Sequence, residues 1–235
     1  MLLALDTSTR MVGIALYDGI RVLSEYSWAS RDNHSVELAP AVVEMMVKSG
    51  VKPEQLTALA VAIGPGSFTG LRISLALAKG IAYVNHIPLI GIPSLDILAA
   101  AQPIRAETLA AVLRAGRGRL AVGWYKAVGG EWQPHGKAVT LTPVELNQRI
   151  HGQTQVCGEL TEEEQRLLRR KRINVILASP AQSVRRPAYL AELGWRRLEA
   201  GRIENPATLT PIYLHYGVPI PDGVQTPDGT PIPKA

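Results

Sequence analysis

The chain has 235 residues, 46% of them apolar, with 25 lysines and arginines against 20 acidic residues. That length buries a real core as one large or two small domains, and the net charge of +5 permits a polyanionic partner without requiring one. A single cysteine, Cys157, excludes an intrachain disulfide and a cysteine metal cluster and fits a reducing cytoplasm.

Residues 2–6 read as a buried strand, with no basic region before it and an apolar run too short for a signal peptide. Residues 11–17 and 20–28 read as two more, joined at Asp18-Gly19, a strong hairpin signal. Between the first two strands stands Asp6-Thr7-Ser8-Thr9. Asp6 either accepts the turn's backbone N–H groups or forms part of a phosphate-binding loop. A helix follows over 36–49, which Ser35 caps and Gly50 ends, with Pro40 removing a backbone bond or kinking it. His34 reads as a hydrogen-bonded turn residue. A two-histidine helical metal site needs its second ring four positions on, where Leu38 stands, so no metal is expected.

The chain then runs strand, glycine loop, helix. Residues 58–63 are a short apolar strand, 71–84 are apolar at helical spacing, and between them lies Gly64-Pro65-Gly66-Ser67-Phe68-Thr69-Gly70-Leu71-Arg72. Glycines permit positive φ or close backbone approach, and Ser67 and Thr69 suit helix capping. Such a loop can cradle an anion or simply turn. A P-loop is excluded, because Thr69 stands where its second glycine belongs and no lysine follows before Lys79. The dinucleotide fingerprint fails at the same Thr69. The tract 73–92 contains Lys79, Asn85, His86 and Pro88, which argues against a membrane span.

Residues 88–92 read as a strand, Ser94 caps a short helix through Ala101, and Pro103 marks a boundary. Strands are expected over 108–113, 119–128 and 131–139, the last two joined through Gly129-Gly130. Thr142 to Glu145 and Thr161 to Glu164 have capping-box spacing and begin helices. Short strands at 155–158 and 174–178 and a helix over 187–200, ended by Gly201, complete two α/β halves. The basic residues gather late, in Arg166, Arg169, Arg170, Lys171, Arg172, Arg185, Arg186, Arg196 and Arg197, as solvated helix faces or a tRNA contact. After Tyr216 the composition turns to Pro, Gly, Asp and Thr, as in a mobile tail.

The run GPGSFTGLRIS (64–74), together with LLALDTST (2–9), His34-Ser35 and IPLIGIPSLDILA (87–99), resembles the bacterial TsaB family of tRNA threonylcarbamoyladenosine biosynthesis proteins, non-catalytic relatives of the TsaD transferase. The resemblance weakens beyond about residue 105. Arg114-Ala115-Gly116-Arg117 stands where the family shows Asp-Ala-Arg, and His215 where its closing motif has Arg. The order of elements in the first half also resembles the actin-like ATPase and sugar-kinase (ASKHA) fold. Together these imply two actin-like halves, the second degenerate, divided as 1–104, 105–216 and a tail over 217–235. They further imply a cytoplasmic, non-catalytic scaffold without a cofactor that dimerises alone, binds a TsaD-like transferase and a TsaE-like ATPase, and meets tRNA through the complex. An actin-like ATP-dependent small-molecule kinase, with Asp6 holding Mg²⁺, and a metallopeptidase are the alternatives. The partner face expected from helical periodicity combines Leu38, Val42, Met45 and Met46 with Leu71, Leu75, Ala78 and Ala82, leaving Ile73, Leu77, Ile81 and Val84 to cover the sheet.

Overall fold

In a computed structural model the described residues are 1–31, 33–171 and 173–214. Arg172, His215 and the expected tail over 217–235 lie outside them.

Strands β1 (Leu2–Asp6), β2 (Met11–Tyr17) and β3 (Val22–Ala29) form an antiparallel meander, and β4 (Ala58–Ala62) and β5 (Leu89–Ile92) join β1's other edge in parallel. The order is therefore β3-β2-β1-β4-β5. Helices α1 (His34–Lys48) and α2 (Phe68–Asn85) supply the crossovers. The second sheet repeats the plan. Strands β6 (Thr108–Gly116), β7 (Arg119–Val128) and β8 (Glu131–Pro134) meander, and β10 (Thr154–Gly158) and β11 (Val175–Leu177) add in parallel on β6. The single strand expected over 131–139 is broken. Chain 135–138, with Gly136 at a φ of 90°, bulges out before β9 (Val139–Leu141) returns to the same strand β7. Thr142 and Thr161 cap α4 (Pro143–Arg149) and α5 (Glu162–Arg169) through reciprocal bonds with Glu145 and Glu164, as their spacing predicts.

Side-chain alternation divides the first sheet into two unlike faces. Leu3, Leu5, Val12, Ile14, Leu59 and Val61 meet α1 and α2. The other face is mostly alanine, with Ala4, Ala15, Ala58, Ala60 and Ala62, and it is covered by α6 (Pro187–Glu199) from the far end of the chain. Small residues bring that helix close. A Cβ on Gly194 would sit 2.5 Å from the Ala60 Cβ, so glycine is required there. In exchange, α3 (Ser94–Ala100), from the first half, buries Leu95, Leu98 and Ala99 against Leu109, Ala111 and Leu113 of the second sheet.

Candidate functional site

The glycine loop sits on the turn after β1 with almost no clearance. A Cβ on Gly66 would lie 2.2 Å from the Ser8 carbonyl oxygen, and one on Gly70 equally close to that of Thr7. Ser67 N–H donates to the Ser8 carbonyl at 2.6 Å, and the Thr7 hydroxyl donates to the Gly70 carbonyl at 2.6 Å. Ser67 caps α2 by accepting from Gly70 N–H, as expected, whereas Thr69 lies within the helix. Ser94 was expected to cap α3. Its hydroxyl instead bonds Ser8 Oγ at 2.6 Å and accepts from Gly64 N–H at 3.1 Å, tying the loop to a third element. At Gly66 and Gly70 the loop thus packs directly on the chain's own turn, with no clearance for a side chain between them.

These bonds also fix how α2 is rotated. Gly70 and Ser74 are held to Thr7, so the face bearing Leu71, Leu75, Ala78 and Ala82 turns to the sheet and is buried. On α1 the ring of His34, a buried helix residue, lies 3.0 Å from the Thr9 carbonyl, which turns Leu38, Val42, Met45 and Met46 inward. All eight residues expected to face a partner are therefore core. The faces are inverted because hydrogen-bond anchors, invisible in hydrophobic periodicity, set the rotation of both helices. The exposed large apolar residues are Val36, Val43 and Val47 on α1 and Phe68, Tyr83 and Val84 on α2, beside half-buried Ile73, Leu77 and Ile81. Val43 and Val47 are 62% and 75% exposed.

At the opposite side of the β1 turn, the two sheets meet around Arg185. Its side chain is 1% exposed. Nε donates to Asp6 Oδ2 at 2.8 Å, Nη1 to Glu159 Oε1 at 2.9 Å, and Nη2 to Thr9 Oγ1 at 2.8 Å and the Met11 carbonyl at 3.1 Å. Burial works to lower the guanidinium pKa, but the two carboxylates more than offset it and raise it. Asp6 also accepts from Ser8 N–H at 2.8 Å, as the turn reading expects, while its other oxygen is held by Arg185. Sequence reasoning missed Arg185, taken as one of the solvated basic residues, and missed Glu159, the second carboxylate beside Asp6. Neither position carries a local pattern that could have revealed them.

Four of the other late basic residues are engaged at separate places in the fold. Arg166 pairs with Glu162, Arg186 with Glu25 and Arg196 with Glu131, on different elements, and Arg197 donates to the Gly91 carbonyl. Arg114 pairs with Glu164 at 2.8 Å, so the position where relatives were expected to carry an acid is here a cation with its own counter-ion. A cleft of about 370 Å³ between the lobes is lined in part by Gly64, Asp96, Tyr125, Lys137 and Ile212. There Tyr125 Oη donates to Asp96 at 2.7 Å. Desolvation raises the Asp96 pKa, with the Tyr125 bond and Arg197 pulling it back. Burial likewise pushes up the Cys157 thiol, so it is not an activated nucleophile. Among the described residues no cluster of three or more His, Cys, Asp or Glu could hold a metal, and no helix is long and apolar enough to cross a membrane.

Fold and site together define a two-lobed actin-like α/β protein whose interlobe carboxylates are bridged by its own arginine. A family model described as TsaD, tRNA N6-adenosine threonylcarbamoyltransferase, matches residues 22–159, and the chain belongs to that family. The resemblance expected from GPGSFTGLRIS is borne out. The chain is 37% identical over 129 residues to the tRNA threonylcarbamoyladenosine biosynthesis protein TsaB of Bacillus subtilis. That similarity covers 55% of this chain and 56% of the relative, so the chain spans about half the length of that curated relative. The structure of YeaZ from Pseudomonas aeruginosa superposes with a TM-score of 0.73 at 26% identity, covering 91% of this chain and 99% of that one. Component A of (R)-2-hydroxyglutaryl-CoA dehydratase from Acidaminococcus fermentans, at 11% identity and a TM-score of 0.50 over 84% of this chain and 98% of its own, shares the fold alone.

Proposed function

We propose that this chain is a non-catalytic cytoplasmic subunit in the formation of N6-threonylcarbamoyladenosine in tRNA, binding a TsaD-like transferase and a TsaE-like ATPase and pairing with itself when alone. The reading is carried by Arg185. A phosphoryl-transfer enzyme needs a carboxylate free to hold Mg²⁺ and another to activate a hydroxyl, whereas here Asp6 and Glu159 are both committed to one buried guanidinium. The kinase alternative would have to break that triad.

The partner surface in this reading is the outward face of α1 and α2, which pack side by side on one face of the first sheet. Val36, Val43 and Val47 form one stripe and Ile73, Leu77, Ile81 and Val84 the other, while exposed Gly80 lets a facing helix come close. Residues 1–104, with α6 behind their sheet, would form the docking lobe. The test is co-purification from the native host, with ATP turnover measured on the chain alone and on the assembly. Recovery of a TsaD-like transferase without ATP turnover by the isolated chain is expected. Steady turnover by the chain alone, abolished by Asp6→Ala, would replace this reading with the kinase.

A further inference from the structure

The cleft between the lobes has a volume of about 370 Å³, at the small end of the range for small-molecule sites, about 300–1,000 Å³. Pro65 of the glycine loop, Leu95 of α3, Ala138 of the bulge, and Ile212 and Leu214 of the closing segment give it apolar walls. Backbone bonds hold these walls in place. Ser94 N–H donates to the Gly64 carbonyl at 2.7 Å, His135 N–H to the Trp124 carbonyl at 2.7 Å, and Ile212 N–H to the Ile63 carbonyl at 2.6 Å. Gly123 keeps the space open, since a Cβ there would lie 2.9 Å from the Tyr125 ring and 3.3 Å from Leu95.

The charged residues of this lining are one of each sign, Asp96 and Lys137. Asp96 is half-buried, and Tyr125 Oη donates to its Oδ1. No described residue donates to Oδ2. Arg197 acts on Asp96 through its charge alone, its own partners being the Gly91 carbonyl and Glu204. Desolvation works against the Asp96 carboxylate, so a cationic donor at Oδ2 would relieve it. Lys137 stands exposed on the bulge, with no ion pair to Asp96 or to any other described residue, and its long rotatable stem reaches over the mouth. A polyphosphate would bring several negative charges to a cleft that holds one lysine and one carboxylate. A ligand with one charge of each sign on an apolar body satisfies both.

We propose that this cleft binds a free α-amino acid with a large apolar side chain, its ammonium group donating to Asp96 Oδ2, its carboxylate held by Lys137, and its side chain set among Pro65, Leu95 and Ile212. The site does not rest on the subunit reading above, and the full chain by itself suffices to test it.

The experiment is isothermal titration calorimetry of the full chain at neutral pH with L-phenylalanine and with its two halves, phenethylamine and 3-phenylpropionate. Phenylalanine is expected to bind roughly tenfold more tightly than either half, as one charge-assisted hydrogen bond would give. Lys137→Met should weaken phenylalanine by a similar factor and leave phenethylamine unchanged. Asp96→Asn should weaken phenylalanine and phenethylamine and leave 3-phenylpropionate unchanged. Circular dichroism checks that each variant is folded; Lys137→Met alters an exposed side chain, so it decides the matter even if Asp96→Asn does not fold. No binding of phenylalanine at millimolar concentration, equal affinity for all three compounds, or a phenylalanine affinity unchanged in a folded variant overturns the site.

Discussion

Asp6 and Arg185 lie 179 residues apart in sequence and 2.8 Å apart in space, both buried. Their bond joins the first turn of the chain to the segment that launches its last helix, and Glu159 draws the second sheet into the same contact.

Removing one partner of this pair should leave an uncompensated buried charge. Arg185→Met is expected to lower unfolding free energy by about 3–5 kcal/mol. The double variant Asp6→Asn, Arg185→Met should lose less than the sum of the two single changes, since it removes both charges together. Urea denaturation of the four proteins measures the coupling, and strict additivity would show that the pair is not energetically linked.

The glycine loop gives a second, steric prediction. Gly66→Ala and Gly70→Ala each press a methyl group against a backbone oxygen, where no side chain can swing aside. Each should cost about 1–3 kcal/mol or more. Gly80, on the same helix as Gly70, has nothing within 4 Å of an added Cβ. Gly80→Ala should therefore raise the melting temperature, by roughly 0.5–1 kcal/mol of stability. Thermal melts of the three variants suffice to compare them.

The inverted helix faces separate folding from association. Ala78→Arg puts a charged side chain against the sheet and should give insoluble or unfolded protein. Val43→Arg changes an exposed position and should leave the circular dichroism spectrum and melting temperature unchanged while weakening self-association. Sedimentation velocity reads the second effect. An unaltered sedimentation coefficient for Val43→Arg, with self-association intact, would place the interface elsewhere.

Asp96 should make stability fall with rising pH. Its folded-state pKa is raised, so the folded chain holds that proton more tightly than the unfolded chain. The contribution is fully present below the unfolded-state pKa and is lost as pH rises through the folded value. Asp96→Asn keeps an acceptor for the Tyr125 hydroxyl but cannot ionise. The variant's stability relative to wild type should thus increase between pH 4 and pH 7, as measured by urea denaturation at intervals across that range.

Local patterns revealed much of the fold because local chemistry dictates it. Asp18-Gly19 does turn a hairpin, with Asp18 accepting from the Ile20 and Arg21 N–H groups, and both Thr-to-Glu capping boxes form. Gly50 and Gly201 take positive φ just beyond α1 and α6. The candidate site was less legible. Rotation of α1 and α2 depends on His34 reaching Thr9 and on Thr7 reaching Gly70, and those distances exist only after the sheet assembles. Arg185 lies in a run of basic residues that looks solvent-facing until α6 docks and closes it in.

The exchange of α3 and α6 constrains how the chain is made. Apart from Ile97 of α3, the alanine face of the first sheet lacks its helical cover until α6 has been synthesised, nearly a hundred residues after β5 is complete. A nascent chain leaving the ribosome must therefore carry Ala4, Ala15, Ala58, Ala60 and Ala62 unprotected while the whole second sheet is being translated. That interval favours shielding by a holding chaperone. The sparse, small side chains of this face offer less to aggregate upon than the leucines and valines under α1 and α2, which are covered early.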